Sequence, residues 1–137
     1  MSDSFQLRLV TPSRLMIDER VREVTAPGTE GEIGILPEHI TFLGALDVGI
    51  LTFRTDRGTK RVAIRGGFAE FTNEVMTVLA DDAVFPEDVN AETARREAAQ
   101  LESELESVSQ FDSRYADLRA AARWARLRAD IAVSRAA

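Results

Sequence analysis

The chain of 137 residues contains no cysteine and a single histidine, His39. Disulfides and thiolate metal sites are therefore excluded, and so is catalysis by a Cys–His pair. A Ser–His–Asp arrangement would have to use His39. No apolar run approaches the roughly 18 residues that span a bilayer. The opening MSDSFQLRLV lacks a basic region leading into an apolar one, which predicts no secretory leader. Basic side chains are in the minority, 17 against 23 acidic for a net charge of −6, which argues against generic nucleic-acid binding. There is no G-x-S-x-G elbow, no Walker A loop and no dinucleotide fingerprint. These absences predict a cytosolic chain with no catalytic residue, no bound metal and no cofactor.

Glycine is scarce except in one stretch, PGTEGEIGILPEHITFLGAL (residues 27–46), where Gly28, Gly31 and Gly34 sit three apart with Glu30 and Glu32 between them. The spacing predicts tight turns around one short strand that Pro37 ends, since proline cannot donate a ladder hydrogen bond. Acidic side chains on such a loop suit a docking edge better than a reaction centre. His39 is read either as a pH-sensitive contact or, more ordinarily, as a hydrogen-bonded residue holding the Pro37 turn.

From Phe5 to Asp81 the apolar period is near two, over residues 5–9, 15–17, 21–24, 48–55, 60–65, 68–72 and 75–79. Asp56-Arg57-Gly58, Gly66-Gly67 and Asn73-Glu74 are turn signals between them. Short strands at this spacing predict an antiparallel β-sandwich over residues 1–87. Gly66-Gly67 interrupts an otherwise continuous strand, AIRGGFAEF, and is read as a bulge or a bend at a sandwich corner.

At Phe85-Pro86-Glu87-Asp88 the period changes, and from Asn90 onward there is neither glycine nor proline. Ala94, Ala98, Leu101, Leu105 and Val108 form a helix seam, with Asn90 as N-cap and Glu92 in the first turn. Residues 107–113 read as a connection with Ser109 or Asp112 as cap. In a second helix Phe111, Tyr115, Leu118, Ala122, Ala125, Ala129 and Ala132 share a face. Trp124, Leu127 and Ile131 fall on another, and Arg119, Arg123 and Arg126 on a third, a basic stripe. Residues 88–108 hold six acidic and two basic side chains; residues 109–137 hold three acidic and six basic. An antiparallel two-helix hairpin over residues 88–137 is expected, with an alanine seam that buries little area.

Several of these stretches resemble the epsilon subunit of bacterial rotary (F-type) ATP synthases: FQLRLVTPSR at the start, EGEIGILPEH (residues 30–39), GGFAEF, VMTVLAD, and the closing ADLRAAARWARLRADIAV. The resemblance covers nearly the whole chain and implies a non-catalytic central-stalk rotor subunit of the proton-translocating enzyme, peripheral on the cytoplasmic face of the bacterial inner membrane. It implies that the sandwich binds the gamma subunit and the polar loops of the c-ring, with Glu30, Glu32, Ile35 and His39 on the ring-facing loop. It further implies that the hairpin, when extended, reaches the alpha/beta catalytic ring and inhibits ATP hydrolysis, with Arg119, Arg123 and Arg126 meeting catalytic beta.

Some family members bind ATP through an Ile/Leu-Asp-x-x-Arg-Ala segment and two arginines of the second helix. Here that segment is Val89-Asn90-Ala91-Glu92-Thr93-Ala94, and Ala122 stands at one of the two arginine positions with Arg126 at the other. The degraded set Val89, Asn90 and Arg126 predicts weak or absent ATP binding. Neither nucleic acid nor membrane insertion is expected. The alternative reading is a free-standing nucleotide-binding regulatory β-sandwich.

Overall fold

A computed structural model describes residues 3–136, with backbone alone at 133–136. The chain divides into two compact units, Met1–Ala83 and Val84–Ala137. The division precedes the one expected after Glu87, because the 3-10 turn Pro86–Asp88 packs against the second helix.

The first unit is built from β1 (Phe5–Val10), β2 (Leu15–Val21), β3 (Glu23–Gly28), β4 (Gly31–Ile35), β5 (Phe42–Thr55), β6 (Gly58–Thr72) and β7 (Val75–Ala80); a two-residue β8 (Ala83–Val84) pairs with β6. Their hydrogen-bonded order is β2-β1-β7-β6-β5-β3-β4. The pairing is antiparallel with one exception: β1 lies parallel to β7. The expected antiparallel sandwich thus carries one parallel pair, formed because the first strand pairs with a strand distant in sequence, which local turn signals do not encode. Phe5, Leu7, Leu9, Val24, Ile35, Leu51, Phe53, Ile64, Phe71 and Met76 fill the interior, and the Phe5 and Phe71 rings meet edge to face at 5.4 Å.

Gly66 and Gly67 lie inside β6 rather than between strands, at φ 78° and 134°. The β5–β6 register is the same on both sides of them. What changes is the cover on the even side of the strand: Val62 and Ile64 are buried before the pair, together with Ala63 on the other side, whereas after it Phe68 and Glu70 are exposed and Ala69 and Phe71 are buried. With a side-chain period of two, the even side thus passes from covered to open at the glycine pair. In β5 the buried positions pass from even, Leu46, to odd, Leu51 and Phe53. A Cβ on Gly67 would lie 2.0 Å from the Leu79 carbonyl oxygen, so only glycine fits.

The second unit is a hairpin of α1 (Ala91–Glu106) and α2 (Tyr115–Ala136). Asn90 caps α1, its side chain accepting the Thr93 N–H at 3.0 Å. Ala94 and Ala98 of α1, with Ala122, Ala125, Ala129 and Ala132 of α2, are buried; Leu101, Leu105, Val108, Tyr115 and Leu118 are only half-buried.

Phe111 is not part of the seam and is 89% exposed. It sits in the connection, where its N–H donates to the Ser109 hydroxyl and the Asp112 carboxylate accepts the Arg114 N–H. Those local side-chain bonds hold the backbone out of helical geometry until Tyr115. Trp124 and Ile131, expected on a face separate from the seam, are also buried, while Leu127 is half-buried.

Candidate functional site

The acidic glycine stretch folds as the β3–β4 hairpin followed by a turn. Gly28 pairs with Gly31 across the two-residue loop Thr29-Glu30, and Gly31 takes φ 130°. Glu30 and Glu32 are exposed at this tip. Ile35 is fully buried, opposite Val24; being part of the core, it does not present itself with the two glutamates, which corrects its place among the ring-facing residues.

After β4 the chain turns over residues 36–39, closed by the His39 N–H donating to the Leu36 carbonyl at 3.1 Å. His39 is half-buried. Its Nδ1 lies 2.7 Å from the Ile40 carbonyl oxygen, and its ring stands edge to face with Phe42 at 6.3 Å and Phe71 at 5.9 Å. The side chain is thus engaged in holding the turn against the sheet.

Beside this tip the outer face of the sheet is apolar. Ala45 pairs with Phe68, Phe68 with Leu79, Leu79 with Val10, and Val10 with Leu15. Directly paired residues point to one face, so the five form a row across β5, β6, β7, β1 and β2. Phe68 is 57% exposed and Leu79 56%. Leu43, on the same face two residues from Ala45, is exposed as well. The tip and the row meet where the Thr29 N–H donates to the Ala45 carbonyl at 3.1 Å. A cleft of about 300 Å³ runs between Glu30, Glu32, Leu43 and Ala45. The row was not apparent in the sequence: its members lie on five strands, and only the register aligns them.

The arginine stripe is divided. Arg119 and Arg123 are exposed. Arg126 donates from Nε and Nη2 to the two carboxylate oxygens of Glu102 on α1, at 2.9 and 2.7 Å. This fork lowers the Glu102 pKa, chiefly through the hydrogen bond, and raises that of Arg126. A second pair, Arg128 to Glu97 at 3.1 Å, joins the same two helices.

Of the residues at the degraded nucleotide segment, Asn90 is occupied as the cap of α1 and Arg126 by Glu102, while Val89 ends the 3-10 turn. Among the described residues no cluster of three or more His, Asp or Glu could hold a metal ion. No described helix is long and apolar enough to cross a membrane. The described residues present two surface features: an acidic, glycine-shaped edge beside an apolar row, and a helix pair joined by ion pairs.

The chain is similar to known proteins over most of its length. The sequence model described as ATP synthase, Delta/Epsilon chain, beta-sandwich domain matches residues 4–86. The ATP synthase epsilon chain of Nitratidesulfovibrio vulgaris (strain DP4) is 41% identical over 110 residues, covering 80% of this chain and 82% of the relative. That of Citrifermentans bemidjiense is 33% identical over 132 residues, 96% of each. A chain in the Euglena gracilis mitochondrial ATP synthase (OSCP/F1/c-ring in rotational state 1) shares the fold with a TM-score of 0.79 at 21% identity, covering 93% of this chain and 80% of that one. One in the central stalk/c-ring of the Tetrahymena thermophila enzyme gives 0.59 at 15% identity, covering 93% and 95%. Family model and relatives together extend from the first strand through the second helix, and on that ground this chain belongs to the epsilon-chain family of F-type ATP synthases.

Proposed function

We propose that this chain is a rotor subunit that couples gamma to the c-ring and restrains ATP hydrolysis through its C-terminal hairpin. The observation that carries the reading is the junction at Ala45, where an exposed apolar row meets an acidic glycine tip. The row Leu15, Val10, Leu79, Phe68 and Ala45 offers the apolar face that a helix of gamma would cover. Glu30 and Glu32 offer carboxylates that polar or basic groups of the c-ring loops would pair with. The two features lie side by side, so one sandwich can touch both partners at once. Membership of the epsilon-chain family supports this assignment, and the assignment carries with it a peripheral place on the cytoplasmic face of the membrane.

The hairpin is the restraining element in this reading. Its seam is alanine, which separates at a lower cost in buried area than a leucine seam would. Both helices keep good intrinsic propensity when apart. Arg119 is exposed on α2 and would meet an acidic surface of the catalytic beta subunit, with Arg123 beside it on the same stripe; Arg126 would join them on leaving Glu102.

The test is ATP hydrolysis by the assembled catalytic head, with the full chain or with a chain ending at Asp88. Higher hydrolysis with the truncated chain, with gamma binding retained, is the expected result. Unchanged hydrolysis would remove the restraining role and leave the coupling role alone.

A further inference from the structure

Two glutamates in left-handed backbone geometry are bonded to each other across the edge of the sandwich. Glu74 completes the two-residue β6–β7 turn Asn73-Glu74, with φ 52° and 61°, between the paired Thr72 and Val75. Such a turn favours glycine at its second position. Glu38, at φ 67°, is the third residue of the turn closed by His39 and Leu36, following Pro37. That position also favours glycine. The Glu38 N–H donates to the Glu74 carboxylate, with oxygen distances of 2.9 and 3.2 Å. The backbone carbonyl of Glu74 accepts the Gln6 N–H at 3.1 Å, which ties the turn to β1.

Glycine at position 74 would suit the turn but leave the Glu38 N–H without its acceptor. A glutamate there is therefore explained by what its carboxylate reaches, not by the turn it sits in. The geometry points to Glu74 as a positioning residue: its carboxylate holds the turn over residues 36–39, and with it the edge that docks on the partner complex. The His39 ring against Phe71 is the second tether, so the turn is held at backbone and side chain by the same hairpin, β6–β7. This inference rests on the docking role proposed above for Glu30 and Glu32, and extends it to the turn at the other end of β4.

The test compares the full chain with Glu74→Gly and Glu74→Gln by amide hydrogen exchange and thermal unfolding. Glu74→Gly should leave the melting temperature equal or higher, because it relieves the turn, yet raise exchange at Glu38 and His39 by roughly tenfold. Glu74→Gln keeps an acceptor oxygen and should bring exchange back to within about threefold of the parent. Unchanged exchange in Glu74→Gly would overturn the assignment and leave Glu74 a turn residue only. The same variants in the assembled ATP synthase give the functional arm: weaker coupling of ATP hydrolysis to ion pumping with Glu74→Gly, restored by Glu74→Gln. Raised exchange with intact coupling would overturn the docking role while leaving the hold on the turn, so the two failures are distinguishable.

Discussion

Trp124 and Arg128, one helical turn apart on α2, stack with the guanidinium carbon 5.5 Å from the ring centroid. The same guanidinium reaches Glu97 of α1 at 3.1 Å. Trp124 is thus pinned from above by a cation that also joins the two helices.

Trp124→Ala should therefore destabilise the hairpin by about 3 kcal/mol, through lost burial and the void left behind. Far-ultraviolet circular dichroism during thermal unfolding measures it, with Leu127→Ala, at a half-buried position, as the smaller comparison.

Acid should loosen the same hairpin. The Arg126 hydrogen bond lowers the Glu102 pKa from its ordinary 4.5. A carboxylate whose folded pKa is depressed contributes stability that is fully present above the unfolded value and is lost as pH falls through the folded one. Hairpin stability should decline on acidification below about pH 4.5 and keep falling until Glu102 is protonated. Glu102→Gln should flatten that part of the profile. Asp112, held low by Arg114, adds a parallel contribution at the connection.

Gly67→Ala should be among the most damaging single substitutions in the first unit. Its backbone is in the left-handed range and its Cβ would collide with the Leu79 carbonyl oxygen. A loss of about 3 kcal/mol is expected, read as a lower denaturant midpoint. Gly34→Ala, with open space around its Cβ, should change stability by less than about 1 kcal/mol.

The apolar row should separate binding from folding. Phe68→Ser and Leu79→Ser alter side chains that are already more than half exposed, so stability should move by about 0.5 kcal/mol or less. Affinity for gamma, measured by calorimetry, should fall at least about tenfold for the pair. Unaltered affinity would remove the row from the gamma-facing surface.

Much of this arrangement was legible in the residues. Alternation located the strands, three spaced glycines marked the turns around the short strand β4, and Asn90 with Glu92 in the first turn announced the helix start. Other features were not, for identifiable reasons. The parallel pairing of β1 with β7 is a long-range choice with no local signature. The seam through Phe111 followed helical spacing, but Ser109 and Asp112 drew backbone N–H groups out of the helix. A helical projection placed Arg126 beside Arg119 and Arg123, yet it contains no information about Glu102 on the facing helix. Glu74 looked like an ordinary turn residue until the turn after β4 was seen against it.

The change of cover at Gly66 and Gly67 has a mechanical consequence. In β6 the side carrying Val62 and Ile64 is buried before the pair and exposed after it, and β5 follows it in continuous register. Neither layer ends at the corner, so no plane of weakness separates them and the sandwich cannot shear open like two stacked plates. A body built this way resists slip between its two halves.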